Sequence, residues 1–405
     1  MEISLEEAIK LIRSYTRPLA PVRLPLFGTL GCITAEEIVA RMDQPPFPRS
    51  PYDGYALRAQ DSLNASREAP VTLSVTGRSY AGIPSEVALG AGEAVRIMTG
   101  GVIPEGADCV IAQEQTDEGV LQVRIYKKLR PFENYCRQGE DFHCGVRLAT
   151  CGIPVTAAVL GVASSTGCTE LSVFPKPRVA LISTGDELQT LGQPLGKGQI
   201  YSSNDPHLLG RMAELRIPVT ENTNVRDEMD ELTRAIEKAS SNSDLIISTG
   251  GVSVGQRDLV PAALEKLGAE IVFHGVAIKP GMPAEFAVLH GKPVLALSGN
   301  PFASAVTFEL LVRPALATLA SDLRIDARIV KATLTDSFSL KCPVTRFQRG
   351  ILKNGTVSIP GEQGNGQLKT MIGCNCLVAI PSSPESLPAG TFVDAYLLEG
   401  GIYGI

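Results

Sequence analysis

Residues 244 to 258 read Asp-Leu-Ile-Ile-Ser-Thr-Gly-Gly-Val-Ser-Val-Gly-Gln-Arg-Asp, an apolar run that stops at a glycine loop and ends on a carboxylate. Leu245, Ile246 and Ile247 have the character of a strand buried on both faces. Gly250, Gly251 and Gly255 can take φ > 0 and let backbone N–H groups approach a ligand, while Ser248 and Ser253 add hydroxyls. Asp258 stands where the next helix should begin. Such a loop suits an anionic or polar ligand, although a tight strand-to-helix turn alone would also use these glycines.

The same punctuation recurs. The strand expected at 178–182 runs into Ser183-Thr184-Gly185-Asp186-Glu187, and the one expected at 219–225 runs toward Asp227. In an open parallel sheet ligands bind at the carboxyl ends of the strands, so the three strand ends should deliver four carboxylates, Asp186, Glu187, Asp227 and Asp258, to one rim. Carboxylates crowded together repel each other and any phosphate, and a hard cation such as Mg²⁺ bridging protein and phosphate oxygens resolves the conflict. Taken singly, Asp227 could equally favour its own helix N-terminus and Glu187 could be solvated. Lys279-Pro280-Gly281 follows a strand ending at Ile278, and Ser298-Gly299-Asn300-Pro301 precedes a long helix with Asn300 as cap and Pro301 at the first helical position. The lysine and the free amides of that helix start suit a phosphate, with simple exposure and simple capping as the plainer alternatives.

The elements that must position these groups alternate. Strand 178–182, helix 205–215 capped by Ser203 or Asn204, strand 219–225, helix 226–240, strand 245–249, helix 259–267, strand 270–278, strand 293–297 and helix 301–319 imply a doubly wound α/β domain with a mostly parallel sheet. Around it the patterns differ. Residues 3–15 form an amphipathic helix with a Ser4/Glu7 capping box, 24–30 a strand and turn, and 35–40 a short helix. The prolines at 45, 46, 48 and 51 make 44–51 rigid and extended. Short β runs at 71–76, 93–98, 109–113 and 120–125 mark an inserted small β domain, and a helix is expected near 156–164. After Asp322, β runs at 329–334, 348–352, 357–359, 376–380 and 391–397 read as a C-terminal β-barrel. The expected divisions are residues 46–140 as the small β domain, 176–322 as the α/β domain and 323–405 as the barrel, and the family resemblance below implies that 1–45 with 141–175 form an elongated linking and dimerisation domain into which the β domain is inserted.

At 405 residues the chain exceeds one ordinary core, and 44% hydrophobic with 20% charged residues describes a globular protein. A net charge of −6 without a Lys/Arg block argues against a nucleic-acid surface. The N-terminus is acidic and amphipathic rather than basic then apolar, and no apolar run is expected to approach membrane-spanning length, so a cytoplasmic protein is expected. Nine scattered cysteines with no Cys-x-x-Cys pair are expected as reduced thiols. Tyr52-Asp53-Gly54-Tyr55-Ala56 and Arg96-Ile97-Met98-Thr99-Gly100-Gly101 read, by themselves, as turns.

With these motifs in hand the chain resembles the molybdenum insertases, the family of the bacterial MoeA proteins and the gephyrin E domain. The resemblance is carried in order by Pro45-Pro46-Phe47 with Asp53-Gly54-Tyr55-Ala56, Met98-Thr99-Gly100, Gly106-Ala107-Asp108, Gly139-Glu140-Asp141, Ser183 to Leu188, Ser248 to Gly255, Lys279-Pro280-Gly281, Gly299-Asn300-Pro301 and Phe347-Gln348-Arg349-Gly350. It implies an elongated homodimer of four-domain subunits whose α/β domain binds adenylylated molybdopterin. Molybdate is placed on the dithiolene with Mg²⁺ assistance and AMP is released. It further implies that Asp53 and Thr99 reach the active site from the second subunit. By the same matching, Glu187, Asp227 and Asp258 are functional acidic positions, and Lys279 and Arg349 are basic ones. Transient contact with the adenylyltransferase and with cofactor-accepting enzymes is implied as well. Met282 where some members have a second lysine, Ser298 in place of proline, Phe302-Ala303 in place of a small apolar residue and Ser, and Asn365 in place of serine depart from the pattern. Two rival readings are an adenylyltransferase, which the four-domain layout opposes, and a gephyrin-like binding scaffold, which retention of Asp53, Glu187, Asp227 and Asp258 opposes.

Overall fold

The computed structural model describes residues 2–252, 259–339, 343–361, 363–382 and 386–398. Two compact units divide the chain, one of residues 1–22 with 173–405 and the other of residues 23–172.

In the first unit a six-stranded sheet is built from β1 (Val179–Thr184), β2 (Val219–Val225), β3 (Leu245–Thr249), β4 (Glu270–His274), β5 (Glu285–Leu289) and β6 (Lys292–Leu297), in the order β2-β1-β3-β6-β5-β4. The pairs β1 with β2, β1 with β3, and β3 with β6 are parallel, and β5 is antiparallel to both neighbours. Because side chains alternate across a strand, Leu245 and Ile247 enter one core while Ile246 enters the other. The first core is closed by α1 (Asn204–Glu214) and by the helical stretch from Pro301 to Leu319; the second is closed by α2 (Met229–Asn242) and α3 (Val260–Lys266). The apolar run on β3 is thus explained by burial on both faces.

The expected strand 270–278 ends at His274, because Gly275 takes φ +90°. Ile278–Lys279 instead pairs with the barrel, and β5 was not anticipated. The expected single helix 301–319 is α4 (Pro301–Thr307), a π turn (Phe308–Val312) and α5 (Arg313–Leu319). Pro314 cannot donate a backbone N–H, and the wider turn before it accommodates the missing bond. Contrary to the sequence expectation, this 19-residue stretch is long and apolar enough to cross a membrane; at 94% buried it serves as a core helix.

Ser4 accepts the Glu7 N–H at 3.1 Å, as the capping box requires, and starts the helix Leu5–Tyr15. Its Leu5, Ala8 and Ile12 pack into the first core, so residues 1–22 join the α/β unit rather than the segment that follows them. The barrel consists of β7 (Ile329–Leu334), β8 (Thr345–Lys353), β9 (Thr356–Ser358), β10 (Cys376–Ile380) and β11 (Phe392–Leu397). The order β8-β9-β7-β11-β10 closes through pairing of β8 with β10, which leaves no open edge.

The second unit holds a five-stranded sheet in the order Cys109–Ala112, Gly54–Leu57, Glu93–Ile97, Val71–Ser79, Gln122–Ile125, as the short β runs suggested. The helix expected at 35–40 is absent. Ile38–Val39 pairs antiparallel with Arg147–Ala149, since six residues cannot repay helix nucleation when a distant strand offers its backbone. The helix near 156–164 forms as Ala157–Ser165, capped by Thr156.

Candidate functional site

The carboxyl ends of β1, β3 and β6 open onto a cavity of about 320 Å³. Gly250 sits at φ +88° directly after β3, and a Cβ there would lie 2.3 Å from the Thr184 carbonyl oxygen, so only glycine fits. Gly299 packs against this loop: a Cβ on it would stand 3.3 Å from Gly250 Cα. The two glycine loops therefore touch, and both line the cavity with Gly251, Ser298 and Pro301. Asn204 ties the start of α1 to them through a 2.9 Å bond from Nδ2 to the Gly299 carbonyl.

Two of the expected carboxylates share this cavity. Glu187 and Asp227 both line it, the first exposed and the second half-buried. Thr184, the last residue of β1, donates its hydroxyl to Asp227 Oδ1 at 2.5 Å. Glu187 folds back over Gly185, where a Cβ would meet its Oε1 at 2.7 Å. Asp258, Ser253 and Gly255 lie outside the described residues. Among the described residues no three His, Cys, Asp or Glu side chains converge as a metal site. Glu187 and Asp227 are nevertheless oxygen donors of the kind a hard cation takes, and neither is ion-paired among the described residues.

Asn300 occupies the N-cap position of α4, but its side chain makes no capping bond and its Oδ1 is buried without a partner among the described residues. The plainer account of this asparagine as a cap is therefore not what the structure shows. Ser248 is 1% exposed and does not line the cavity; as the residue two beyond Ile246 it faces the α2/α3 core. Lys279 is exposed, opposite Arg346 on the barrel strand, and stands apart from the cavity.

Arg349 lines a second cavity, of about 580 Å³, between the α/β domain and the barrel. Its guanidinium lies 3.7 Å from the centre of the Phe302 ring and donates through Nη2 to the Gly364 carbonyl at 3.0 Å. Among the described residues Nε and Nη1 are buried with no partner, and burial lowers its pKa. Pro301 lines the first cavity and Phe302 the second, so the two flank the start of α4.

In the other unit, Asp53 and Thr99 come together although 46 residues apart. Asp53 Oδ1 accepts the Thr99 N–H at 2.7 Å and its hydroxyl at 2.8 Å. These bonds, the backbone one foremost, hold the Asp53 carboxyl below its ordinary value, with help from Arg96.

Sequence reasoning missed a buried polar cluster on the first-core side of β1 and β3. Ser183 bonds to Asp205 in the first turn of α1 and lies 2.8 Å from the Thr249 hydroxyl. A polar pair at the ends of two otherwise apolar strands was the available signal. It also missed the two-stranded arm Leu188–Gln189 with Ile200–Tyr201 on the cavity wall, whose elements are too short to show periodicity.

Two carboxylates lining one cavity with two touching glycine loops at the carboxyl edge of a doubly wound sheet, with a closed barrel and a β-rich unit in the same chain, define a multidomain protein built around an α/β ligand-binding domain. Family models match along nearly the whole chain: MoeA N-terminal region (domains I and II) over residues 3–167, a probable molybdopterin binding domain over 180–318, and MoeA C-terminal region (domain IV) over 331–398. A molybdopterin molybdenumtransferase of Staphylococcus epidermidis is 36% identical over 405 residues, covering 99% of this chain and 97% of that protein. Two solved molybdopterin biosynthesis MoeA structures from Pyrococcus horikoshii align with TM-scores of 0.83 and 0.75 at 33% and 27% identity, over 99% and 98% of this chain and 100% of each of theirs. The chain belongs to the MoeA family.

Proposed function

We propose that this chain transfers molybdate to adenylylated molybdopterin with release of AMP, as a step of molybdenum cofactor biosynthesis. The observation that carries the reading is the sharing of one cavity by Glu187, Asp227 and the Gly250 and Gly299 loops. Kinship with molybdopterin molybdenumtransferases supports the transferase class.

The loop amides at Gly251 and Gly299 hold phosphate oxygens, while the Gly250 N–H is bonded to the Leu297 carbonyl at 3.1 Å and shapes the loop, and Thr184 fixes the Asp227 carboxylate. Glu187 and Asp227, joined by Asp258, are the residues that would hold Mg²⁺, which when bound neutralises phosphate charge and favours loss of AMP. Arg349 offers two buried N–H groups to an oxyanion in the second cavity, with Phe302 stacked beneath, and is assigned to molybdate, whereas Lys279 lines neither cavity and is given no role. Asp53, oriented by Thr99, completes the site from a second subunit of a cytoplasmic homodimer. The adenylyltransferase that makes the substrate and the enzymes that accept the cofactor are the expected transient partners. Nucleotide release from adenylylated molybdopterin by the wild type tests the proposal: it should require both molybdate and Mg²⁺. Release at equal rates without either would refute it.

A further inference from the structure

The face of α1 on the second cavity carries His207, Arg211 and Glu214, at helical steps of four and three that place side chains on one side. Phe302 and Glu309, from the stretch between Pro301 and Leu319, and Arg349 of the barrel share the lining. Most of the charge here is already matched. Arg211 donates to Glu309 Oε1 at 2.7 Å and to Glu214, and Glu309 Oε2 accepts from Arg313 at 2.6 Å. Two guanidiniums therefore answer two carboxylates. Arg349 has no carboxylate partner among the described residues, so the lining keeps one net positive charge.

His207 is the group of this lining that the chemistry above leaves without a task. It is half-buried, and the charges of Glu309, Arg211 and Glu214 reach its ring without a hydrogen bond among the described residues. Burial, the largest influence, holds its pKa below the ordinary value; Glu309 and Glu214 pull it up and Arg211 pushes it down. Both carboxylates are committed to arginines, so at neutral pH the ring is uncharged. Cys374 is the other titratable group of the lining; its thiol donates to the Thr370 carbonyl at 2.9 Å, and burial pushes its pKa up. The acidic groups on the remaining sides of α1 are occupied elsewhere. Asp205 is bonded to Ser183, and Glu221 of β2 faces the α2 side of the sheet, where it accepts from Lys238.

We propose that His207 is the second cation of the oxyanion site, uncharged without the dianion and protonated with it, so that oxyanion binding takes up about one proton. The inference rests on assigning Arg349 to molybdate. Molybdate carries two negative charges and Arg349 answers one of them. A proton on His207 answers the other, in a lining that includes Phe302, Met371 and Leu377, where an unmatched charge is costly. By linkage, the oxyanion strengthens proton binding to His207 by the same factor as the proton strengthens oxyanion binding. Between the ring's value without the oxyanion and its higher value with it, binding weakens as pH rises; outside that window it is level.

Isothermal titration of the full chain with sodium molybdate at about pH 7, in buffers of different ionisation enthalpy, should show uptake of about 0.5 to 1 proton by the wild type and about none by His207→Gln. The wild-type Kd should rise up to about tenfold per pH unit between about pH 6.5 and 8, and that of His207→Gln should stay level. The chain has four histidines, so the resonance missing from His207→Gln assigns the His207 ring, whose NMR titration should move up by at least about one pH unit with molybdate. Absent proton uptake, an unmoved ring titration, or a His207→Gln variant with the wild-type pH dependence overturns the proposal. Arg349→Gln separates this from failure of the assignment beneath it. Molybdate binding lost in that variant, with no proton uptake by the wild type, removes His207 alone; binding that the variant leaves unchanged removes the oxyanion site and His207 with it.

Discussion

The Thr184 hydroxyl lies 2.5 Å from Asp227 Oδ1, joining the end of one strand to a residue two beyond the end of its neighbour in the sheet. The bond fixes one carboxylate oxygen and leaves the other for the cavity. Thr184→Val keeps the shape of the strand end and removes the donor. AMP release should fall about tenfold, with a higher Mg²⁺ requirement, in line with losing one hydrogen bond to a charged group. An unchanged Mg²⁺ dependence in the steady-state assay would remove Thr184 from the site.

Gly250→Ala tests the glycine loop. A Cβ at φ +88°, 2.3 Å from the Thr184 carbonyl, forces the loop off its contact with Gly299. We expect at least about a 100-fold loss of activity, together with a lower Tm, because the left-handed conformation alone costs about 1–2 kcal/mol. A variant with wild-type rate and Tm would show that the close approach is not needed.

Asp53 carries a pH signature. Its carboxyl is held below the ordinary value by the Thr99 N–H and hydroxyl, so between the two values the unfolded chain binds more protons than the folded one. Its contribution to stability is complete above the unfolded carboxylate value, about 3.9, and is lost as pH falls through the lower folded value. In Thr99→Val the backbone bond remains and the hydroxyl bond goes, so the Asp53 titration followed by carboxyl NMR should move up part of the way. A titration identical to that of the wild type would show that the hydroxyl contributes nothing.

Away from the site, Glu309 in the π turn is 2% exposed and lies between two guanidiniums, 2.7 Å from Arg211 Nε and 2.6 Å from Arg313 Nη1. Arg313 in turn donates to the Ile325 and Asp326 carbonyls, which ties the helix to the chain entering the barrel. Glu309→Ala strands buried positive charge and should destabilise the unit by about 3–5 kcal/mol in chemical denaturation. A loss below about 1 kcal/mol would mean that the arginines find other partners or water.

Much of this architecture was legible because its causes are local. Leu245 to Thr249 is apolar on both faces and breaks at glycines, so both its central place and its loop could be read directly. The pairing of Ile38–Val39 with Arg147–Ala149 could not, since more than a hundred residues separate the partners and six residues carry no usable period. Asp53 and Thr99 looked like ordinary turns for the same reason: the bond between them belongs to the folded sheet and to neither segment alone. Ser248 shows the opposite failure. Its motif suggested a ligand contact, but strand alternation turns its hydroxyl into the α2/α3 core. Arg349 was marked by resemblance, and only the fold reveals its two N–H groups, unpartnered among the described residues, over Phe302.

The meeting of carboxylates from separate strands beside the Gly250 loop is the centre of the account, and Asp227→Asn probes it with the least structural disturbance. The substitution preserves size and can still accept the Thr184 hydroxyl, while removing the charge that a cation and the phosphate end of the substrate would sense. Molybdate-dependent release of AMP from adenylylated molybdopterin, compared between wild type and Asp227→Asn at saturating Mg²⁺, should fall at least about 100-fold with the fold intact by circular dichroism. Equal rates from the two proteins would contradict the account.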